Sequence, residues 1–439
     1  MESRPDTDPH VIPPRYLTAD VPGLGGRIKA RPEDFLVDEQ PLYQPGGQGE
    51  HIYLYIEKRN LSTLQAARAL AHHFGVHPSA IGHAGLKDKL AITRQVFSVH
   101  TPGKSLSDFP MLQHERLSVQ WADMHTNKLR VGHLLGNRFS IRIRDVEIGK
   151  VVHAARALKL LAAHGVPNRI GEQRFGYTQR NHVVGRAIIL GDHAAALDAL
   201  LAPAPGVQDG QLEARQLYAA GNYEAALHAF LRESRTERRV LGELMRGKTP
   251  AQALRAIDRP EEEFFLAAFQ SAVFNAVLDQ RLLAGTLGTL GVGDLAFKHD
   301  NRAVFKVDAQ TLDEELTARL ARFEISPSGP MWGPEMMRAS GAVDAAEVAA
   351  LEASGVTVDD LARLDERRKK RLAGARRPLR VPLTDPDVEA GVDEHGPYIR
   401  VAFDLPRGAF ATTVLREIMK PELSGARAEA EEETDDPRP

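Results

Sequence analysis

Residues 135–144 read Leu-Gly-Asn-Arg-Phe-Ser-Ile-Arg-Ile-Arg, and apolar and basic side chains alternate along this stretch. Successive side chains of a β-strand point to opposite faces of a sheet, so the alternation predicts a strand with one apolar and one basic face. Phe139, Ile141 and Ile143 would lie on a core, and the arginines would face outward. Such an arginine face is typical either of a solvated surface or of a nucleic-acid platform, and the pattern leaves both readings open.

β-Structure is predicted toward both ends of the chain and helix in its middle. Strands are predicted at 27–30 and 35–39, which flank a turn signal, at 96–99 and 117–121, and at 51–57 and 398–405, where apolar residues alternate. Helices are predicted at 150–164, across 194–248, at 264–283 and at 344–371, the last with Asp344 as a candidate N-cap. We therefore expect a domain of mixed α and β structure built from both ends of the chain, with a mostly helical second domain inserted.

The composition is that of an ordinary soluble globular protein. The chain has 439 residues, of which 43% are hydrophobic and 26% charged, a length at which two domains are expected. It contains no Cys, which excludes disulfides, thiolate metal sites and a thiol nucleophile. No run of eighteen apolar residues occurs, and the start of the chain is polar and Pro-rich. We expect a cytoplasmic protein without membrane contact.

Charge is unevenly distributed along the chain. The formal net charge is −3, but residues 421–439 alone carry seven acids and two bases. Residues 363–380 carry nine bases and two acids. Because local basic faces decide contact with nucleic acid, the slightly negative total does not exclude an RNA partner.

Familiar cofactor and metal motifs are absent. Gly23-Leu24-Gly25-Gly26 lacks the flanking strand and helix of a dinucleotide site, and no Walker A sequence occurs. His72, His73 and His77 have no carboxylate or Cys partner at metal-ligand spacing, so we interpret them as surface or packing residues. We therefore expect no cofactor and no metal.

The loop Gly85-Leu86-Lys87-Asp88-Lys89 places a carboxylate between two lysines. Neighbouring cations favour the ionised form of a carboxylate, and an ionised Asp can act as a covalent nucleophile without a general base. The alternative is an ordinary Asp turn with solvated lysines. Phe35, Asn137 and Phe410 lie in or beside loops, where an aromatic ring could stack on an unstacked base and an amide could read its edge, although core packing is the alternative for each Phe.

Six stretches, in order along the chain, resemble motifs of the TruD family of tRNA pseudouridine synthases. They are residues 29–39, 84–95, 135–139, 166–176, 271–275 and 408–412. The resemblance extends over roughly residues 22 to 420. The chain departs from the family pattern at Ile170, where an aromatic residue is common, and in the long helical stretch 194–248.

The resemblance implies an α+β fold. A pseudouridine-synthase-type catalytic domain with a mainly antiparallel sheet would be built from residues 21–165 and 376–420, with a largely helical α/β TRUD domain inserted at 166–375. Residues 1–20 are expected to form a flexible leader, and residues 421–439 an acidic disordered tail.

The resemblance also implies an activity and a site. Asp88 would be the catalytic nucleophile that isomerises uridine 13 of tRNA to pseudouridine, without cofactor or metal, and Phe35, Asn137 and Phe410 would hold the flipped uridine. Lys29, Glu39, Phe139 and Arg174 would support the site, although Arg174 could instead be hydrogen-bonded scaffold. Phosphate contacts are expected from basic residues in three sets, namely 138–144, Arg169 with Arg174, Arg180 and Arg186, and 363–380. The expected partner is tRNA, and no protein partner is predicted.

Two other classes of protein stay open on the sequence alone. A non-catalytic RNA-binding or chaperone-like protein would keep the basic faces without needing Asp88. A carboxylate-dependent hydrolase could hold Mg²⁺ between Glu33, Asp34 and Asp88, and it would respond to a chelator.

Overall fold

The computed structural model describes residues 15–204, 210–367 and 372–420. Within these residues the chain divides into two compact units, one formed by 16–166 with 381–420 and the other by 167–380. We refer to them as the sheet unit and the inserted unit. Their equation with a catalytic domain and a TRUD domain, and the domain boundaries given above, stay predictions.

The first part of the sheet unit alternates strands with two helices. The strands are β1 (Phe35–Pro41), β2 (His51–Arg59), β3 (Ile81–His83), β4 (Ile92–His100), β5 (Leu117–His125) and β6 (Leu134–Arg144). The helices are α1 (Thr63–Phe74) and α2 (Val151–His164). Helix α1 begins in a capping box, in which Ser62 and Gln65 each bond the other's backbone N–H, as expected where Ser precedes an apolar period of helical spacing.

The middle of the chain is mostly helical. After β7 (Val166–Pro167) come α3 (Asn181–Leu190), α4 (His193–Leu201), α5 (Leu212–Ala219), α6 (Tyr223–Ala229), α7 (Arg235–Met245), α8 (Pro250–Ala253) and α9 (Arg259–Leu283). Then follow β8 (Leu295–Lys298), β9 (Val304–Lys306), α10 (Glu314–Ala321), β10 (Ile325–Met331), α11 (Gly341–Ala353), α12 (Val358–Arg367), β11 (Ala375–Pro378) and β12 (Arg380–Val381). Strands β8 to β11 form an antiparallel sheet in the order β11-β10-β8-β9.

The chain then completes the sheet unit with β13 (Thr384–Asp393), β14 (Gly396–Pro406) and α13 (Ala411–Met419). Among the described residues, its sheet has eight strands in the order β13-β14-β6-β1-β4-β2-β5, with β3 paired to β4. Among the strand pairs that the described residues form in this sheet, only β1–β4 is parallel. The α+β fold with a mainly antiparallel sheet is therefore confirmed, and both ends of the described chain contribute to that sheet.

Two groups of helices pack on this sheet, each on different strands. The apolar side chains of β1, β6 and β14 form a core with α2 and α13, and those of β2 and β4 form another with α1. In β6, Phe139, Ile141 and Ile143 are buried, so the predicted alternation is confirmed. Glu39 and Asn137 lie opposite each other in register, each two residues along its strand from the core residues Val37 and Phe139. Polar side chains therefore follow directly where this apolar face ends.

The arginines of β6 are engaged by carboxylates of the sheet unit. Arg144 is buried and binds Asp34 and Asp393, at 2.6 and 2.8 Å, and Arg138 binds Asp385 and Asp404. Arg142 lies 3.5 Å from Asp393 and over the ring of Tyr398. The face is basic in sequence but neutralised in the fold, so it lacks the unpaired cations of a phosphate platform.

Several local expectations differ from the structure. Residues 27–30 form only an isolated bridge, Arg27 to Arg144, because Lys29 adopts a left-handed backbone with φ of 55°. Helix α11 starts after Ser340, and Asp344 instead binds Arg338.

The chain is also ordered before the expected end of its leader. Thr18 is buried, and both its backbone N–H and its hydroxyl donate to the Glu417 carboxylate. The remainder of the predicted leader, 1–14, and the predicted acidic tail, 421–439, lie outside the described residues.

Candidate active site

The loop that carries Asp88 joins β3 to β4 and is fixed by polar contacts from the sheet and from α1. The backbone N–H of Lys87 donates to Thr63 Oγ1 at 2.9 Å, and Gln95 Nε2 donates to the carbonyl of Gly85 at 3.2 Å. Thr63 Oγ1 donates in turn to Gln95 Oε1 at 3.0 Å. The loop has no regular secondary structure of its own, so these bonds hold its shape.

Lys29 provides the cation beside Asp88. Its Nζ lies 3.1 Å from Asp88 Oδ1, and the Asp88 side chain keeps 44% of its surface exposed. A left-handed backbone at a residue other than Gly is uncommon and often marks a functional constraint, as at Lys29 here. The carboxylate is thus oriented by one ion pair and still accessible.

The lysines that flank Asp88 in sequence have other roles. Lys87 turns inward, and its Nζ lies 2.6 Å from Oε2 of Glu39, whose side chain is fully buried. Glu39 Oε1 also accepts the backbone N–H of Val96. Lys89 is exposed. The expected cationic environment of Asp88 therefore comes from Lys29, which is distant in sequence.

Three of the predicted site residues form a continuous contact. The ammonium of Lys29 lies 4.7 Å from the ring centroid of Phe35, and Phe35 meets the edge of Phe139 at 6.5 Å between centroids. Phe35 is only 1% exposed. Its ring is therefore part of the core, and its outer contact is with the same ammonium that binds Asp88.

Asn137 presents an unsatisfied oxygen. Its Oδ1 is buried and accepts no hydrogen bond from the described residues. Gly136 precedes it, and a Cβ at that position would collide with the carbonyl oxygen of Leu405, so only Gly allows β14 to approach so closely here. A buried amide oxygen without a donor is unfavourable unless a ligand supplies one.

Phe410 lies in the loop before α13, where the residue is 55% exposed and its carbonyl accepts from the backbone N–H of Thr413. The same loop is tied to its neighbours, because Arg407 donates its N–H to Leu135 and its Nη1 to Gly132, whose N–H donates to Ala84. Hydrogen bonds from the main chain and side chain of Arg407 and from the backbone of Gly132 thus link the Phe410 loop, the start of β6 that carries Asn137, and the Asp88 loop. Arg174 lies in the inserted unit, in a single turn of 3-10 helix at Glu172–Phe175.

Comparison with known proteins identifies the family. The sequence model of the family tRNA pseudouridine synthase D (TruD) matches residues 12–418 of this chain. The chain belongs to the TruD family. Proteins named tRNA pseudouridine synthase D from Geobacter metallireducens and Geobacter sulfurreducens are each 41% identical to it, over 92% and 94% of this chain and 98% of each relative.

A more distant relative shares the fold. The crystal structure of a putative TruD from Methanosarcina mazei superposes with a TM-score of 0.82 at 26% identity, covering 95% of this chain and 99% of that one. Membership of the TruD family makes the chain an enzyme of the isomerase class. No helix in the described part of the chain is long and apolar enough to span a membrane.

The carboxylates proposed for a magnesium site do not converge. Asp34 binds Arg144, Glu33 binds Arg59, and Asp88 binds Lys29. Among the described residues, no group of three or more His, Asp or Glu side chains could hold a metal ion. Glu33, Asp34 and Asp88 therefore do not form a shared ligand set.

Sequence reasoning missed the residues behind the loop, above all Lys58. This lysine is fully buried and reaches the loop from β2. The signal was present in the sequence, because Lys58 shares the period-two register of the apolar residues Ile52, Leu54 and Ile56. A lysine on the core face of a strand indicates a specific internal partner.

Proposed function

We propose that this TruD-family enzyme isomerises uridine 13 of tRNA to pseudouridine, with Asp88 as covalent nucleophile and without a cofactor. The carrying observation is the accessible Asp88 carboxylate, which Lys29 orients at 3.1 Å in a loop hydrogen-bonded to the Phe410 loop and to the start of β6, which carries Asn137. Asp88 accounts for the chemistry, Asn137 and Phe410 for the hold on the base, and Phe35, which is buried, for the support of Lys29. The position in tRNA is proposed from the family resemblance.

The chemistry needs only a nucleophile and proton transfers. The bond between N1 of uracil and C1′ of ribose breaks, the base rotates, and C5 bonds to C1′. N1 gains a proton and C5 loses one, so the reaction involves no net oxidation and no transferred group. An ionised carboxylate can form a covalent intermediate with either the base or the sugar, and both routes are open to Asp88.

The neighbouring residues suit recognition of a uracil. Its N3–H is a donor, and the unsatisfied Oδ1 of Asn137 is an acceptor without a partner among the described residues. The exposed Phe410 offers a stacking surface, whereas the ring of the buried Phe35 packs against the ammonium of Lys29. A base inside folded RNA must be flipped out to reach these side chains, and stacking offsets part of that cost.

The decisive test changes Asp88 alone. Tritium release from tRNA labelled at C5 of uridine should fall by about 10³-fold or more in Asp88→Asn and Asp88→Ala, because the nucleophile is lost. Binding of tRNA should stay within about threefold, because phosphate contacts dominate affinity. Asp300→Asn removes a carboxylate from an exposed residue of the inserted unit and serves as the matched control.

Two further arms of this experiment test the finer statements. A tRNA with cytidine at position 13 should release no tritium, and release equal to that from the natural tRNA would show another target. Treatment with a chelator should leave the rate unchanged. Full activity of Asp88→Ala would overturn the nucleophile assignment and favour a role for this loop in binding alone.

A further inference from the structure

A buried lysine lies directly behind the proposed nucleophile. Lys58, at the end of β2, has no exposed surface, and its Nζ donates to three main-chain carbonyls. The acceptors are Leu61 at 2.5 Å, Lys87 at 3.4 Å and Asp88 at 2.8 Å. The ammonium therefore joins the segment before α1 to the peptide of Asp88 itself.

Burial of a lysine is costly and calls for a specific gain. An ammonium loses its hydration inside a protein, and apolar residues of similar volume avoid that loss. Its neighbours in register on β2 are apolar, so packing alone would favour an apolar residue at position 58 as well. Only an ammonium provides three donors from one compact atom that can gather converging carbonyl oxygens.

The hydrogen bond from Lys58 holds the main chain of Asp88, the residue proposed as nucleophile. Thr63, Gln95 and Glu39 hold residues 85 and 87 of the loop, and Lys58 adds the carbonyl of Asp88. The Asp88 side chain is half exposed and is oriented by Lys29. A shift of its backbone would move the carboxylate relative to a base held by Asn137 of β6 and by the Phe410 loop.

We propose that Lys58 is a positioning residue, an internal cation that fixes the peptide of Asp88 so that its carboxylate reaches the target nucleoside. The inference rests on the proposed role of Asp88 and adds a residue that acts through it. Lys58 contributes no atom to the reaction and no contact to RNA. Its loss should therefore slow the chemical step and leave substrate binding in place.

The test uses Lys58→Met in the full chain, because Met has a similar length but no charge and no donor. Single-turnover formation of pseudouridine should slow by about 100-fold, the scale expected for a misplaced catalytic group. The KM and Kd for tRNA should stay within about twofold, since no phosphate contact is removed. Lys159→Met, at an exposed position on α2, is the matched control and should behave as the natural chain.

A rescue arm separates positioning from general stability. In Lys58→Ala, added propylammonium should raise the single-turnover rate at least about tenfold, because it supplies the missing donors. Tetramethylammonium has no donor and should leave the rate unchanged. If Lys58→Met does not fold, Lys58→Gln is measured by the same rate and Kd. A rate within twofold of the natural chain in either folded variant, or a rise in KM without a fall in rate, overturns the proposal.

The same assay with Asp88→Asn distinguishes the two claims. If Asp88→Asn is inactive and Lys58→Met is fully active, only the positioning role fails. If Asp88→Asn is fully active, the proposed nucleophile fails, and a slow Lys58→Met would then report loop integrity alone and also overturn the positioning role.

Discussion

At the scale of single residues, the candidate site is held by polar contacts between segments distant in sequence. Lys29 meets Asp88, Glu39 meets Lys87, and Lys58 meets the Asp88 carbonyl. Motif comparison found Asp88, Lys29 and Glu39 because they lie within recognisable strings. It could not assign their partners, because a lysine adjacent in sequence, such as Lys87, can point away from the carboxylate it precedes.

Arg174 differs from the other arginines expected to contact phosphate. Arg169 binds Asp279, and Arg186 donates to the carbonyl of Ser354. The guanidinium of Arg174 makes no hydrogen bond or ion pair with any described residue; it lies 5.0 Å from the ring of Phe264, and burial lowers its pKa. The scaffold interpretation of Arg174 is therefore not supported by its side-chain contacts.

A second cation lies in the field of Arg174. Burial, and next the charge of Arg174, lower the pKa of Arg377 to about 10. Like charges removed from water are costly unless an anion joins them, and an RNA phosphate would do so. We predict that Arg174→Ala weakens tRNA binding by about tenfold and reduces the slope of log K against log salt by about 1.

Equilibrium binding between 50 and 300 mM salt measures both quantities. The exposed Arg246→Ala, on the same unit, is the control and should change neither. An unchanged slope for Arg174→Ala would show that its guanidinium meets no phosphate.

At the scale of elements, β6 shows both the reach and the limit of sequence patterns. Its alternation correctly predicted which side chains enter the core. It could not predict that the other face is neutralised, because the carboxylates come from Asp34, Asp385, Asp393 and Asp404, which lie far away in sequence. Strand period is a local property, whereas ion pairing depends on which strands become neighbours.

The buried ion pair at the end of β6 should be important for stability. Arg144→Met leaves the fully buried Asp34 without its cation, and we predict a loss of about 3–5 kcal/mol in the free energy of unfolding. Arg400→Met breaks partly exposed pairs with Asp387 and Glu389 and should cost about 0–1 kcal/mol. Urea unfolding at pH 7 measures both variants.

The pH dependence of the same variant has a defined sign. Hydrogen bonds from Arg144 hold the pKa of Asp393 well below its usual range. A carboxyl with a lowered pKa in the fold adds stability above its ordinary pKa of about 4, and this is lost as the pH falls. Arg144→Met should therefore differ most from the natural chain at pH 7 and less toward pH 3. A constant difference would show that the Arg144–Asp393 pair does not carry this pH dependence.

At the scale of the whole molecule, the first and last segments of the inserted unit lie next to each other. Asn168 donates its N–H to the carbonyl of Leu379 at 2.9 Å, so the two ends of the excursion lie side by side. The hydrophobic clusters of the sheet unit draw only on residues 17–166 and 381–419. The sequence predicted an insertion from its change between strand and helix patterns, but adjacency of the ends is a property of the folded chain.

This arrangement predicts that the sheet unit can fold without the insertion. We expect a chain in which residues 169–378 are replaced by a flexible linker of about four residues to unfold cooperatively, because the ends need only a short bridge and the cores remain complete. Its tRNA affinity should fall by at least about tenfold, because Arg174 and Arg377 are removed. Circular dichroism, thermal unfolding and tRNA binding measure these outcomes, with the full chain in parallel. Loss of cooperative unfolding would mean that the sheet unit depends on the insertion for its stability, and unchanged affinity would place the RNA contacts entirely on the sheet unit.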